Sequence, residues 1–219
     1  AADLWGDRTQ DVATGLLVKF NKGFSSPPHI HNISYRGVVI EGLMHNDDPA
    51  AERMWLTPGS FWTQPAGESH ITAAEGEANL IYLEIDSGPY LVHAKEKAFD
   101  NGERPINIEE RNLVWLDAND INWLTSNKVQ VAFLWGSQHA KNGSFIKLPT
   151  GFEGVIESKE GLKAVVVKGK ATHNWNNGKK KNKLSPASFF SSNANGKHQL
   201  SVQSEVILYI NSNGRYFID

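Results

Sequence analysis

The feature that most constrains this chain is that it repeats itself. Leu4-Trp5-Gly6 returns as Leu134-Trp135-Gly136, a shift of 130 positions. Lys19-Phe20-Asn21-Lys22-Gly23-Phe24 returns as Lys147-Leu148-Pro149-Thr150-Gly151-Phe152, and Val38-Val39-Ile40-Glu41-Gly42 as Val165-Val166-Val167-Lys168-Gly169, at shifts of 128 and 127. His45-Asn46 is matched by His173-Asn174, and Tyr82 by Tyr209. Pro58-x-Ser60-Phe61 followed by His70 is matched by Pro186-x-Ser188-Phe189 followed by His198. A near-constant shift across so many anchors means two copies of one domain. The expected division is a first domain over residues 1–94, a charged linker over 95–112 and a second domain over 113–219.

Each copy reads as short β-branched or aromatic runs separated by turn residues. Strands are expected at Gly15–Phe20, Tyr35–Ile40, Ser60–Gln64 and Asn79–Ile85, and in the second copy at Gly143–Leu148, Ala164–Val167, Ser188–Ser191 and Glu205–Ile210. Asn46-Asp47-Asp48-Pro49, Pro65-Ala66-Gly67 and Asn177-Gly178 punctuate them, and Val114-Trp115-Leu116 is expected to resume a strand after the linker. The second copy has a strand, Val129–Phe133, before its Leu-Trp-Gly; the first has only three residues there, so an upstream strand or a covering partner is expected.

Composition removes whole classes of function. With 22 Lys plus Arg against 24 Asp plus Glu the net charge is −2, so no basic face for nucleic acid is implied. No apolar stretch nears the roughly 18 residues that would span a bilayer, and a soluble protein is expected. The chain has no cysteine, which excludes disulfides, thiolate metal sites and cysteine nucleophiles together. Cellular compartment is not readable; Ala1-Ala2-Asp3 is compatible with a cleaved leader and hence the periplasm or secretion, and equally with a trimmed end.

The residues capable of chemistry cluster in the first copy. Gly23-x5-His29-x-His31-x3-Tyr35-x6-Gly42 is followed by Gly59-x5-Pro65-x-Gly67-x2-His70. Period two along a strand puts His29 and His31 on one face, and the Pro65/Gly67 turn brings His70 back beside them. Three imidazoles form a facial set for one divalent transition metal, iron, zinc, nickel or manganese, with positions left open for a ligand. The same alternation turns Ile33, Tyr35 and Thr72 inward, with Trp62 and Gln64 on the neighbouring strand. Ile33, Trp62 and Thr72 are the expected pocket walls. Tyr35 and Gln64 are the expected catalytic groups, one as a hydrogen-bond donor and the other as a substrate-orienting amide. In the second copy Ile156 and Ser158 replace the His-x-His pair and His198 alone persists, so one metal per chain is expected.

With both motifs on the page, the sequence resembles a cupin and the doubled chain a bicupin. The stretch Gly23-Phe-Ser-Ser-Pro-Pro-His-Ile-His with Tyr35-Arg36-Gly37-Val38-Val39 resembles, more narrowly, the DUF4437 cupin family. The resemblance implies an all-β fold of two tandem double-stranded β-helix, jelly-roll-like barrels, the first holding a metal in its mouth and the second degenerate. It also implies a homodimer, because cupins commonly pair edge to edge. Cupins usually carry a glutamate ligand where Tyr35 stands, which leaves a three-histidine site here. Site chemistry and resemblance together read as a metal-dependent enzyme acting on a small organic acid or carbonyl compound. Its most concrete form is dioxygenase-type cleavage with iron, whereas zinc would suit hydrolysis or isomerisation. The rival reading is a non-catalytic, metal-assisted small-ligand binding protein or sensor.

Overall fold

The computed structural model describes residues 1–219 apart from Asn127, Gln138, Asn177 and Lys179. Asn177 of the expected Asn177-Gly178 turn therefore lies outside the described residues. The chain forms two compact units, Ala1–Asn112 and Leu113–Asp219. The first runs β1 Ala2–Trp5, β2 Thr14–Phe20, β3 Phe24–Ser25, β4 His29–His31, β5 Tyr35–Glu41, β6 Met44–Asp47, β7 Phe61–Gln64, β8 Ile71–Ala74, β9 Asn79–Ile85, β10 Val92–Ala94 and β11 Ile106–Ile108. The second runs β12 Gln130–Gly136, β13 Asn142–Leu148, β14 Glu153–Ser158, β15 Leu162–Trp175, β16 Lys181–Leu184, β17 Phe189–Ser192, β18 Gly196–Ser212 and β19 Tyr216–Ile218. Two single-turn 3-10 helices, Lys95–Lys97 and Glu110–Asn112, complete the described structure. Residues 114–116 do not resume a strand; Leu116 makes an isolated bridge to Val131.

The fold is all-β and cupin-like, but the expected barrels do not close. In the first unit a six-stranded sheet has the order β1-β2-β9-β5-β7-β11, and separate sheets β3-β8-β6 and β10-β4 stand beside it. Among the described residues only isolated bridges reach out from the small sheets, His29 to His70 and Met44 to Leu56. The physical reason is strand length. With two residues in β3 and three in β4, a ladder ends before it can pair on both sides. The register shift between Val39 and Glu41 and the left-handed Gly42 likewise end β5 at a corner. The second unit is one eight-stranded sheet with order β12-β13-β18-β14-β19, onto which β15, β16 and β17 pair. Its sheet also stays open, because β15 and β18 bend through three register shifts rather than meeting a closing strand.

Alternation builds each core. In the first unit Leu16, Tyr35, Val39, Trp62, Ile81, Leu83 and Ile85 pack together. In the second, Val131, Ile146, Leu148, Val166, Leu208 and Ile210 do the same. The repeat is visible in side-chain detail. Trp5 lies opposite Gly15 and donates from Nε1 to the Tyr82 hydroxyl at 3.1 Å; Trp135 lies opposite Gly143 and donates to Tyr209 at 3.0 Å. Each glycine is required by the indole on it, for a Cβ on Gly143 would stand 1.8 Å from Trp135 Nε1. Gly143→Ala is expected to destabilise the second unit by about 1–3 kcal/mol, as overpacking does. A fall in the urea midpoint without a change in slope is the readout.

Candidate metal centre

The three histidines are brought together by backbone pairing. His29 and His70 lie directly opposite one another in an antiparallel bridge, each N–H donating to the other's carbonyl at 3.0 Å. Their side chains therefore leave the same face of the pair. His31 shares that face two residues on, and its carbonyl accepts the Gly67 N–H at 2.8 Å, which anchors the Pro65–Gly67 turn. Ring centroids are 4.3 Å apart for His29 and His70, 5.1 Å for His29 and His31, and 5.4 Å for His31 and His70. Their ligand nitrogens lie within 4.8 Å of one another, and this is the one group of three or more potential metal-binding side chains found among the described residues.

Hydrogen bonding fixes which nitrogen is offered. Nδ1 of His29 lies 2.9 Å from the Pro27 carbonyl, Nδ1 of His31 3.1 Å from that of Leu91, and Nδ1 of His70 3.1 Å from that of Glu68. A carbonyl can only accept, so each Nδ1 carries the proton and each Nε2 presents a lone pair. Burial, with the charge repulsion of His70 and His29, lowers His31 to about 3, and burial lowers His70 to about 4. Neutral rings oriented through Nδ1 are the donor set a divalent transition metal takes.

Two phenols flank the cluster. Tyr35 donates to Asn46 Oδ1 at 2.9 Å, with its hydroxyl 3.3 Å from His70 Nε2. One proton cannot serve both, and the shorter bond leaves His70 Nε2 free. Tyr90 stacks on His31 with centroids 4.3 Å apart and planes at 12°, its hydroxyl 3.1 Å from His31 Nε2. Burial pushes both phenols well above the ordinary tyrosine value, so they remain donors.

A cavity of about 340 Å³ opens from the cluster, lined by His29, His31, Tyr35, Trp62, Thr72 and Tyr90 among others. Thr72 donates to Asn46 Oδ1 at 2.8 Å, and Asn46 Nδ2 donates to Gln64 Oε1 at 2.8 Å. Gln64 does not line this cavity, and its Nε2 is spent on the Glu68 carbonyl at 3.3 Å. Ile33 lines a separate cavity with Arg36 and Asp86. Asn46 and Tyr90 were not picked out as site residues from the sequence. In the sequence Asn46 stands out only as an anchor of the repeat, matched by Asn174, and nothing local marks Tyr90 as a neighbour of His31.

Among the described residues, the corresponding place in the second unit holds no such set. Ile156 and Ser158 are fully buried, and the Ser158 hydroxyl donates to the Gly161 carbonyl. His198 sits 3.0 Å from His173 and 3.1 Å from the Ser192 hydroxyl, through its two nitrogens, and packs on Phe190 and Trp175.

The architecture is cupin-like and all-β, in two units, with a three-histidine cluster beside an apolar cavity. The chain belongs to DUF4437, a domain of unknown function, whose family model matches residues 1–219. No curated protein matches the chain. Among solved structures, a putative dioxygenase of Nostoc punctiforme is similar at 13% identity and a TM-score of 0.73, over 96% of this chain and 71% of that one. A salicylate 1,2-dioxygenase from Pseudaminobacter salicylatoxidans is similar at 11% identity and a TM-score of 0.63, over 93% and 71%. Lactobacillus farciminis oxalate decarboxylase is similar at 12% identity and 0.59, over 97% and 80%.

Proposed function

We propose that this protein is a metal-dependent oxidative enzyme in which His29, His31 and His70 hold one divalent transition metal. The observation that carries this reading is a set of three imidazoles whose ligand nitrogens lie within 4.8 Å of one another, each ring oriented by a backbone carbonyl at Nδ1. Likeness in fold to dioxygenases supports it. A metal held there would supply Lewis acidity toward a substrate oxygen and, as iron, access to dioxygen. The substrate is a small organic acid or carbonyl compound, cleaved with dioxygen as the second reactant. The Tyr90 hydroxyl stands at the edge of the cluster, 3.1 Å from His31 Nε2, as a donor for a substrate oxygen, and Tyr35 would become a second donor by turning its proton from Asn46 to the substrate. Thr72 and Trp62 wall the cavity. Gln64 acts through Asn46, whose amide it holds in place for Tyr35.

The test is oxygen uptake by the iron-loaded chain across a panel of 1,3-dicarbonyl compounds and hydroxy acids. One dioxygen consumed per substrate lost is the expected result. Tight binding without uptake under iron would sink the enzyme and favour the binding protein.

A further inference from the structure

The Glu68 carbonyl reaches two side chains at once. It lies 3.1 Å from Nδ1 of His70 and accepts from Nε2 of Gln64 at 3.3 Å. A carbonyl oxygen has two lone pairs and no proton, so both partners must donate to it. The direction of every later bond follows. Gln64, with its amide nitrogen spent there, turns Oε1 to Asn46 and accepts from Asn46 Nδ2 at 2.8 Å. Asn46, its own nitrogen spent in turn, presents Oδ1 on the other side. There it accepts from the Tyr35 hydroxyl at 2.9 Å and from Thr72 Oγ1 at 2.8 Å. Gln64, Asn46 and Tyr35 are each no more than 3% exposed, so this chain of bonds is shielded from water.

The outcome is felt at His70. Its Nε2, the ligand nitrogen, lies 3.3 Å from the Tyr35 hydroxyl. Were the Asn46 amide reversed, its Nδ2 would face the phenol, and the phenol's single proton would turn to His70 Nε2 and cap the lone pair a metal needs. At His31 such capping occurs: that ring carries its proton on Nδ1, so Tyr90, 3.1 Å from Nε2, is the donor. We propose that Gln64 and Asn46 are positioning residues for the metal, which carry the polarity of the Glu68 carbonyl to Tyr35 and so keep His70 Nε2 open. This rests on the metal reading above and adds what controls the affinity of that site. One carbonyl then fixes His70 twice, by placing its Nδ1 proton directly and by withholding a second proton from Nε2 through the relay.

The test is the zinc affinity of the metal-free full chain, read by competition with a chromophoric chelator. Asn46→Leu nearly keeps the volume and removes both polar groups. With its acceptor gone the phenol turns to His70, and zinc is expected to bind about tenfold more weakly, the effect of one hydrogen bond that must break first. The same substitution in a Tyr35→Phe background, where there is no phenol proton to misplace, is expected to change affinity by less than about threefold. No loss in Asn46→Leu, or an equal loss with and without the phenol, overturns the relay. If Asn46→Leu does not fold, the imidazole nitrogen NMR spectrum of the unaltered, metal-free chain decides. Accepting a hydrogen bond moves an unprotonated imidazole nitrogen upfield, so His70 Nε2 is expected downfield of His31 Nε2, and coincident shifts overturn the proposal. Failure of the metal reading looks different, because the unaltered chain then binds no zinc.

Discussion

His31→Ala is expected to purify with under about a tenth of an equivalent of metal where the unaltered chain carries about one, because a facial site reduced to two imidazoles loses most of its affinity. His31 is 3% exposed, held by the Leu91 carbonyl behind it and the Tyr90 ring on its face. Its removal also leaves a hole against the Tyr90 ring, so a loss of about 1–3 kcal/mol in stability should accompany the loss of metal. His198→Ala separates the two effects. It too removes a fully buried histidine with two hydrogen bonds, but from the second unit, and metal content should stay at one. Elemental analysis with thermal unfolding reads both. Unchanged metal in His31→Ala would move the site elsewhere.

The parts of this molecule that were legible in the sequence are those set by local rules or by repetition. Strands at Tyr35–Glu41 and Asn79–Ile85 follow from β-branched and aromatic runs ended by turn residues, and the convergence of His29, His31 and His70 follows from period two plus one tight turn. The parts that depend on long-range pairing were not. Whether a ring of strands closes is decided by edges meeting far apart in sequence, and short strands such as Phe24–Ser25 leave the sheets open. The strand expected at Ala164–Val167 instead continues to Trp175, taking the register shifts between Val166 and Ala171 as bulges. Ile33 shows the limit of alternation. Asn32 leaves the strand to bond Pro89 and Leu91, so residues 32–34 are not strand and inherit no face from His31. Those same bonds carry Tyr90 to His31 across 59 positions, a contact no spacing rule contains.

Acid should destabilise the metal-free protein at a pH where most carboxylates are still ionised. Burial, with neighbouring histidine charge, lowers His31 and His198 to about 3, and burial lowers His70 to about 4, from an ordinary value of 6.5. Between those limits the unfolded chain binds protons at these three positions that the folded chain refuses. Stability is therefore complete above pH 6.5 and falls as pH drops toward 4. Each group contributes a slope of about 1.4 kcal/mol per pH unit at most, so about 2–4 kcal/mol should be lost between pH 6 and 5. The rings differ in what relieves the strain. Metal binding holds His31 and His70 neutral and should protect the first unit, whereas His198, paired with His173 against Phe190, gains nothing from it. Urea unfolding of chelator-treated chain at pH 7.5, 6 and 5 measures the slope, and added zinc should restore stability in the wild type but not in His31→Ala. A midpoint independent of pH across that range would mean that the three imidazoles titrate in the folded protein as they do in the unfolded chain, so that burial does not hold His31 and His70 neutral.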